Sequence, residues 1–110
     1  MPLIVFGGGS PSSEVEAASV TLNKPSGYSF RVYGTTVLNG VTEFFYKSVS
    51  SSNRQSEFEV LKGSSLFLYS NADIDPSYDS TGGIAFVTSW GGENTGCVFE
   101  VTGSGTITIT

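Results

Sequence analysis

The sequence predicts an all-β protein: a jelly-roll-like antiparallel β-sandwich of about eight short strands, preceded by an extended N-terminal arm. Three observations carry this reading. From Val20 onward, turn signals recur about every 8–12 residues, the rhythm of a sandwich or barrel. The runs between them alternate apolar and polar residues with a period of two. The composition, with 14 glycines, 13% aromatic and only 14% charged residues, is that of strands joined by tight turns. A chain of 110 residues fits one domain with a single modest core.

Residues 1–19 read as an arm and linker, and residues 20–110 as the sandwich. The apolar tip Leu3-Ile4-Val5-Phe6 is followed by Gly7-Gly8-Gly9-Ser10-Pro11-Ser12-Ser13. That linker reaches roughly 25 Å when extended, enough to carry the tip to a neighbouring subunit. The expected contact is addition of Leu3, Ile4, Val5 and Phe6 as a strand to a neighbouring sheet edge.

Along the sandwich, the turn signals are Asn23 to Gly27, Gly34, Asn39-Gly40, Ser50 to Asn53, Lys62-Gly63, Asp73 to Gly83, Gly91 to Asn94, and Gly103-Ser104-Gly105. Asn39-Gly40 between Val37-Leu38 and Val41 is a type I′ hairpin signal, because both central residues tolerate positive φ. Alternation assigns Tyr28, Phe30, Val32, Leu66, Leu68, Ile84, Phe86, Cys97, Phe99, Val101, Ile107 and Ile109 to the core. Ser29, Arg31, Glu100, Thr106 and Thr108 then face solvent. A Phe-x-Val motif leading to a glycine turn occurs at Phe30 to Gly34, Phe58 to Gly63 and Phe99 to Gly103. Its unequal spacing describes hairpins within one sandwich, not a solenoid.

Composition removes many functional classes. A net charge of −5 without a basic cluster disfavours nucleic acid and anionic membrane surfaces. Leu3 to Phe6 is too short for a signal-peptide core, and a single cysteine allows no internal disulfide. Both features fit synthesis in a host cytoplasm.

Without histidine, no Ser-His-Asp or Cys-His arrangement can be built. Cys97 shares the inward face with Phe99 and Val101 and reads as a buried, inert thiol. The glycine run lacks a following Lys-Ser/Thr, and zinc lacks its usual ligands. The loop holding Asp73, Asp75 and Asp79 concentrates hard oxygens and is a weak calcium candidate, without the spacing of an EF-hand. No carboxylate pair has the setting a glycosidase requires. The expectation is a non-enzymatic protein without a cofactor.

The outward aromatics are the remaining candidates. If Leu66 and Leu68 face inward, Phe67 and Tyr69 face outward, and Phe44-Phe45-Tyr46 must expose at least one ring. Phe44, Tyr46, Phe67, Tyr69 and Trp90 are therefore the expected partner interface, with sugar stacking as the alternative use.

The Met-Pro start, the Gly/Ser-rich arm, the Phe-x-Val-turn-Ser/Thr strands and the ending Gly105-Thr106-Ile107-Thr108-Ile109-Thr110 together resemble the small β-sandwich accessory proteins of tailed-phage virions. These include head-decoration or cement proteins and the jelly-roll modules of fibres. The resemblance implies a virion location and a homo-oligomer, a trimer being favoured. It further implies a partner in the major capsid protein or another virion protein. The function implied is to bridge capsid subunits; the alternative is a fibre or receptor-binding module, with a glycan as its partner.

Overall fold

The computed structural model describes residues 16–92 and 94–110, so the Leu3 to Phe6 tip and most of the expected arm lie outside the described residues. There are seven strands and no helix among the described residues: β1 (Ala17–Asn23), β2 (Phe30–Leu38), β3 (Val41–Val49), β4 (Gln55–Leu61), β5 (Ser65–Ser70), β6 (Tyr78–Trp90) and β7 (Thr95–Ile109). The all-β, sandwich-like fold expected from the sequence is the one observed. β1 begins ahead of Val20, and Ala18 is fully buried, so the sandwich takes in residues that the sequence assigned to the arm.

The strands form one mixed sheet in the order β3-β2-β5-β7-β1-β4, with β6 along the other side of β7. The long strand β7 changes partner along its length. Its first part, Thr95 to Glu100, pairs antiparallel with β5, and Gly105 to Thr108 pairs parallel with β1. β6 follows β7 from Tyr78 opposite Ile109 to Trp90 opposite Gly96. The sheet thereby folds over on itself into a nearly closed barrel, and its inner faces supply one core.

Where the two long strands bend, glycines meet. A Cβ on Gly83 would fall 2.5 Å from Gly103 Cα, and one on Gly105 would collide with the Thr81 carbonyl. Side chains there would drive the strands apart. This explains why two expected turns are not turns: Gly103-Ser104-Gly105 and the end of Asp73 to Gly83 lie inside β7 and β6. Gly34 is likewise mid-strand and buried in β2. Asn39 and Gly40 do form the β2–β3 hairpin turn, with φ of 52° and 78°.

The core consists of most of the predicted inward positions with Val49 and residues of β1 and β4, and Tyr28, also expected inside, is only partly buried against it. Phe30, Val32, Leu66, Leu68, Cys97, Phe99, Val101 and Ile107 are fully buried together with Val20 and Leu22, and Phe58 and Val60 close the opposite side. Each large apolar side chain so buried contributes roughly 1.5–3 kcal/mol. Phe86 departs from expectation: it is 47% exposed, at the margin of the core, with its ring stacked on Tyr78 and edge-on to Phe99. It keeps the register of Ile84 and sits opposite Phe99, but β6 is hydrogen-bonded on one side only, so its ring lies at the edge of the core and is half covered.

Two polar groups anchor the loops. Lys24 is buried, and its ammonium donates to the carbonyls of Pro25 (3.0 Å) and Tyr28 (2.7 Å) above the Tyr28 ring. Burial lowers its pKa, while these contacts compensate the buried charge. Thr95 Oγ1, also buried, lies 3.1 Å and 2.9 Å from the carbonyl oxygens of Ala72 and Ile74 and fixes the β5–β6 loop.

Candidate functional site

The period of two that puts Phe30 and Val32 into the core puts Arg31, Tyr33 and Thr35 on the outer face of β2. On β3 the same rule turns Phe44 and Tyr46 outward and Phe45 inward, where Phe45 stacks on Phe58 of β4. On β5 it turns Phe67 and Tyr69 outward between Leu66, Leu68 and Ser70. Strand register then aligns these rings: Tyr33 sits opposite Tyr46 on one side and opposite Phe67 on the other.

The result is an aromatic row that crosses the outer face from β3 to β6. Tyr46 and Tyr33 have ring centroids 5.1 Å apart, Tyr33 and Phe67 6.0 Å, and Phe67 and Trp90 5.2 Å. Tyr69 joins it at 6.3 Å from Phe67. Trp90 reaches Phe67 across β7 because Gly96 lies beneath it. A Cβ at position 96 would collide with the indole ring, so any side chain there would lift Trp90 off Phe67. Tyr33, Tyr46, Phe67 and Trp90 all remain at least 37% exposed, and the adjoining outward charges are Arg31 and Glu100.

Ring orientation limits what this row can bind. Phe67 is stacked on Trp90 at 23° and on Tyr69 at 15°, so its ring is engaged with two neighbours. Tyr33 is tilted between Tyr46 and Phe67 at 50° and 45°. Rings engaged with one another in this way form a continuous apolar surface, the character of a protein contact.

Four of the five expected interface aromatics, Tyr46, Phe67, Tyr69 and Trp90, are thus brought together. Tyr33, which joins them, was missed, although its alternation with Val32 signals it; reading Gly34 as a turn ended the strand too early. Phe44 is on the same face and 79% exposed, but among the described residues it pairs with no other ring. With Val37 and Val41 it makes a separate apolar tip on the β2–β3 hairpin.

The calcium candidates do not converge. Asp73 and Asp75 are exposed in the β5–β6 loop and Asp79 is exposed on β6, where it accepts from the Ser80 backbone N–H at 2.9 Å. Among the described residues, no group of three potential metal ligands comes together.

Cys97 is fully buried, and burial pushes its thiol from 9.0 up to about 12 despite the opposing effect of Tyr78. The Tyr78 hydroxyl is also pushed up, first by burial and then by Cys97; it is buried with no hydrogen-bond partner among the described residues. Both groups stay neutral in the ordinary pH range. A thiol so held is a poor nucleophile.

Two concavities lie near the β2–β3 hairpin. One, of about 20 Å³, is bounded by Gly34, Phe45, Val60, Leu61 and Ser64 and has space for about one water. The other, open and about 650 Å³, lies between Thr35, Val37, Thr42, Lys62 and Ser65. Its one charged group, Lys62, pairs with Glu16 at 3.3 Å.

Comparison with known protein families, curated proteins and solved structures finds no match to this chain.

Proposed function

We propose that this protein is a non-enzymatic docking domain that binds another protein through the outer aromatic row, and that its setting is the virion of a tailed phage, as a decoration protein bridging major capsid subunits. The observation that carries the docking reading is the row Tyr46-Tyr33-Phe67-Trp90, exposed and continuous across the sheet. Monomeric proteins rarely leave such a surface bare, and aromatics are enriched at the centres of protein interfaces. The virion setting draws its support from the resemblance in the arm, the Phe-x-Val strands and the C-terminal Thr-Ile repeat.

Binding energy in this account comes from apolar and aromatic area buried on a partner. The sandwich acts as the rigid body that holds the rings, and Leu3, Ile4, Val5 and Phe6 make a second contact by strand addition. Absence of histidine and the scattered, exposed aspartates support a role without catalysis.

Cosedimentation of the full chain with expanded tailed-phage capsids tests the reading, comparing the parent with Tyr33→Ser/Phe67→Ser. The expected result is decoration by the parent and a loss of affinity of more than about tenfold in the variant, with unchanged circular dichroism. Undiminished decoration by the variant would overturn it. Deletion of residues 1–9 is likewise expected to abolish attachment while leaving the domain folded. The second reading, a glycan-binding fibre module, predicts instead a glycan-array signal that depends on Trp90.

A further inference from the structure

The sheet has three edges among the described residues: β3 pairs only with β2, β4 only with β1, and β6 only with β7. Two of them are guarded. β6 shifts register between Gly82 and Ile84 and again between Phe86 and Thr88, and a bulged edge is hard to extend. β4 carries Glu57 and Glu59 on either side of Phe58, so a copy paired antiparallel about its midpoint would set glutamate against glutamate.

β3 differs in both respects. Its nine residues, Val41–Val49, keep an unbroken register with β2. Read outward from Phe45, the strand is self-complementary: Phe44 is matched by Tyr46, Glu43 by Lys47, Thr42 by Ser48 and Val41 by Val49. Aromatic, hydroxyl and aliphatic residues meet their own kind, and the one acid meets the one base. Among the described residues neither Glu43 nor Lys47 has an ion-pair partner.

The backbone is in phase with this pattern. The Asn39-Gly40 turn makes Leu38 and Val41 a hydrogen-bonded pair, so alternation directs the odd-numbered residues of β3 toward β2. The N–H and C=O groups of Thr42, Phe44, Tyr46 and Ser48 then point away from the sheet, and these four residues are exposed. An antiparallel copy centred on Phe45 sets Thr42 opposite Ser48 and Phe44 opposite Tyr46, each as a hydrogen-bonded pair. Glu43 and Lys47 fall at the closer, non-hydrogen-bonded positions.

We infer that β3 is a self-association edge: two copies of the chain pair β3 to β3, antiparallel, about a two-fold axis at Phe45. The choice of a second copy follows from the match of the strand to itself, which one register satisfies. Centring on Phe44 would set Lys47 against Val41, and centring on Tyr46 would set Glu43 against Val49, each leaving strand residues unpaired. Such an isologous contact closes at two copies, where the sequence resemblance implied three. The axis stands perpendicular to the joined sheets, so both outer faces look the same way. Phe44, which pairs with no ring of its own chain, then lies opposite Tyr46 of the second copy, and the two aromatic rows join into one face.

The test is the mass of the full chain by sedimentation equilibrium, for the parent, Glu43→Lys, Lys47→Glu, an equimolar mixture of these two, and the double reversal. The parent is expected to dimerise at micromolar concentrations; below them the chains are separate, and the contact adds nothing to the stability of the single domain. Each single reversal sets like charges together at both ends of the joined strands and should weaken the dimer at least about tenfold. The mixture should recover a heterodimer and the double reversal a homodimer, because each restores opposite charges. Amide exchange in the parent needs no substitution: entering the dimer range should slow exchange at Thr42, Phe44, Tyr46 and Ser48 more than at Glu43, Phe45 and Lys47, which are already bonded to β2. A monomeric or trimeric parent overturns the inference. So does a dimer indifferent to the single reversals, one that the double reversal fails to restore, or one whose outward β3 amides exchange as before. Amide exchange decides the matter even if a variant fails to fold, and none of these outcomes depends on what the aromatic row binds.

Discussion

Two sets of aromatic rings lie on opposite faces of the same sheet. Phe30, Phe45, Phe58 and Phe99 point inward, while Tyr33, Tyr46, Phe67 and Trp90 point outward. Phe30, Phe58 and Phe99 are buried in the core and Phe45 packs partly buried against it, so the inner rings gain burial and packing together. The outer rings touch chiefly one another. Ring pairs of this sort add about 0.5–1.5 kcal/mol beyond the area they bury. That return is small for so much exposed apolar surface, which is the ground on which a partner is proposed for the outer row.

The contrast can be broken from the inside first. Phe99→Ala should cost about 3–5 kcal/mol, measured by denaturant unfolding, because the surrounding side chains cannot collapse into the cavity left behind. A smaller loss is expected at the bend that creates the two faces. Gly105→Ala forces a Cβ against the Thr81 carbonyl and should cost about 1–3 kcal/mol.

Alkaline pH probes the buried pair Cys97 and Tyr78. Both pKa values are higher in the folded protein than in the unfolded chain, so the folded state holds more protons as pH rises through 9 for the thiol and 10 for the phenol. The stability associated with these neutral groups is complete below pH 9 and declines toward the folded thiol value of about 12, at no more than about 1.4 kcal/mol per pH unit for each proton. Cys97→Ala should show a shallower decline from its own neutral-pH stability in pH-dependent thermal unfolding. The smallest effect belongs to Phe44→Ser, expected to change stability by less than about 0.5 kcal/mol, since that ring packs on no other.

Much of this contrast was legible in the sequence because alternation is a local signal. Leu66 and Leu68 fix the inward face of β5, and Phe67 and Tyr69 must then face out. Asn39-Gly40 marks its hairpin by the same kind of local rule. What was not legible depends on contacts distant in sequence. The glycines at 82, 83, 103 and 105 look like turns, yet they serve the close crossing of two long strands. The parallel pairing of Val20 to Asn23 with Gly105 to Thr108 joins opposite ends of the chain and leaves no local trace. Phe86 alternates as a core residue and does face Phe99, but its strand pairs on one side only, so the ring is left half exposed at the margin. Tyr33 was hidden by the glycine beside it. Trp90 was visible as an aromatic; its place over Phe67 required knowing that Gly96 passes beneath.

Trp90 is the single tryptophan and lies at one end of the outer row, so its fluorescence is a direct probe of the proposed docking. The most direct measurement compares Phe67→Ser with the parent in two ways: denaturant unfolding, and quenching of Trp90 fluorescence by acrylamide with and without capsids. The account predicts a stability loss below about 1.5 kcal/mol, protection of Trp90 by capsids in the parent, and no such protection in the variant. A loss of 3 kcal/mol or more, of the order expected for a core ring, or equal protection of Trp90 in both proteins, would contradict it.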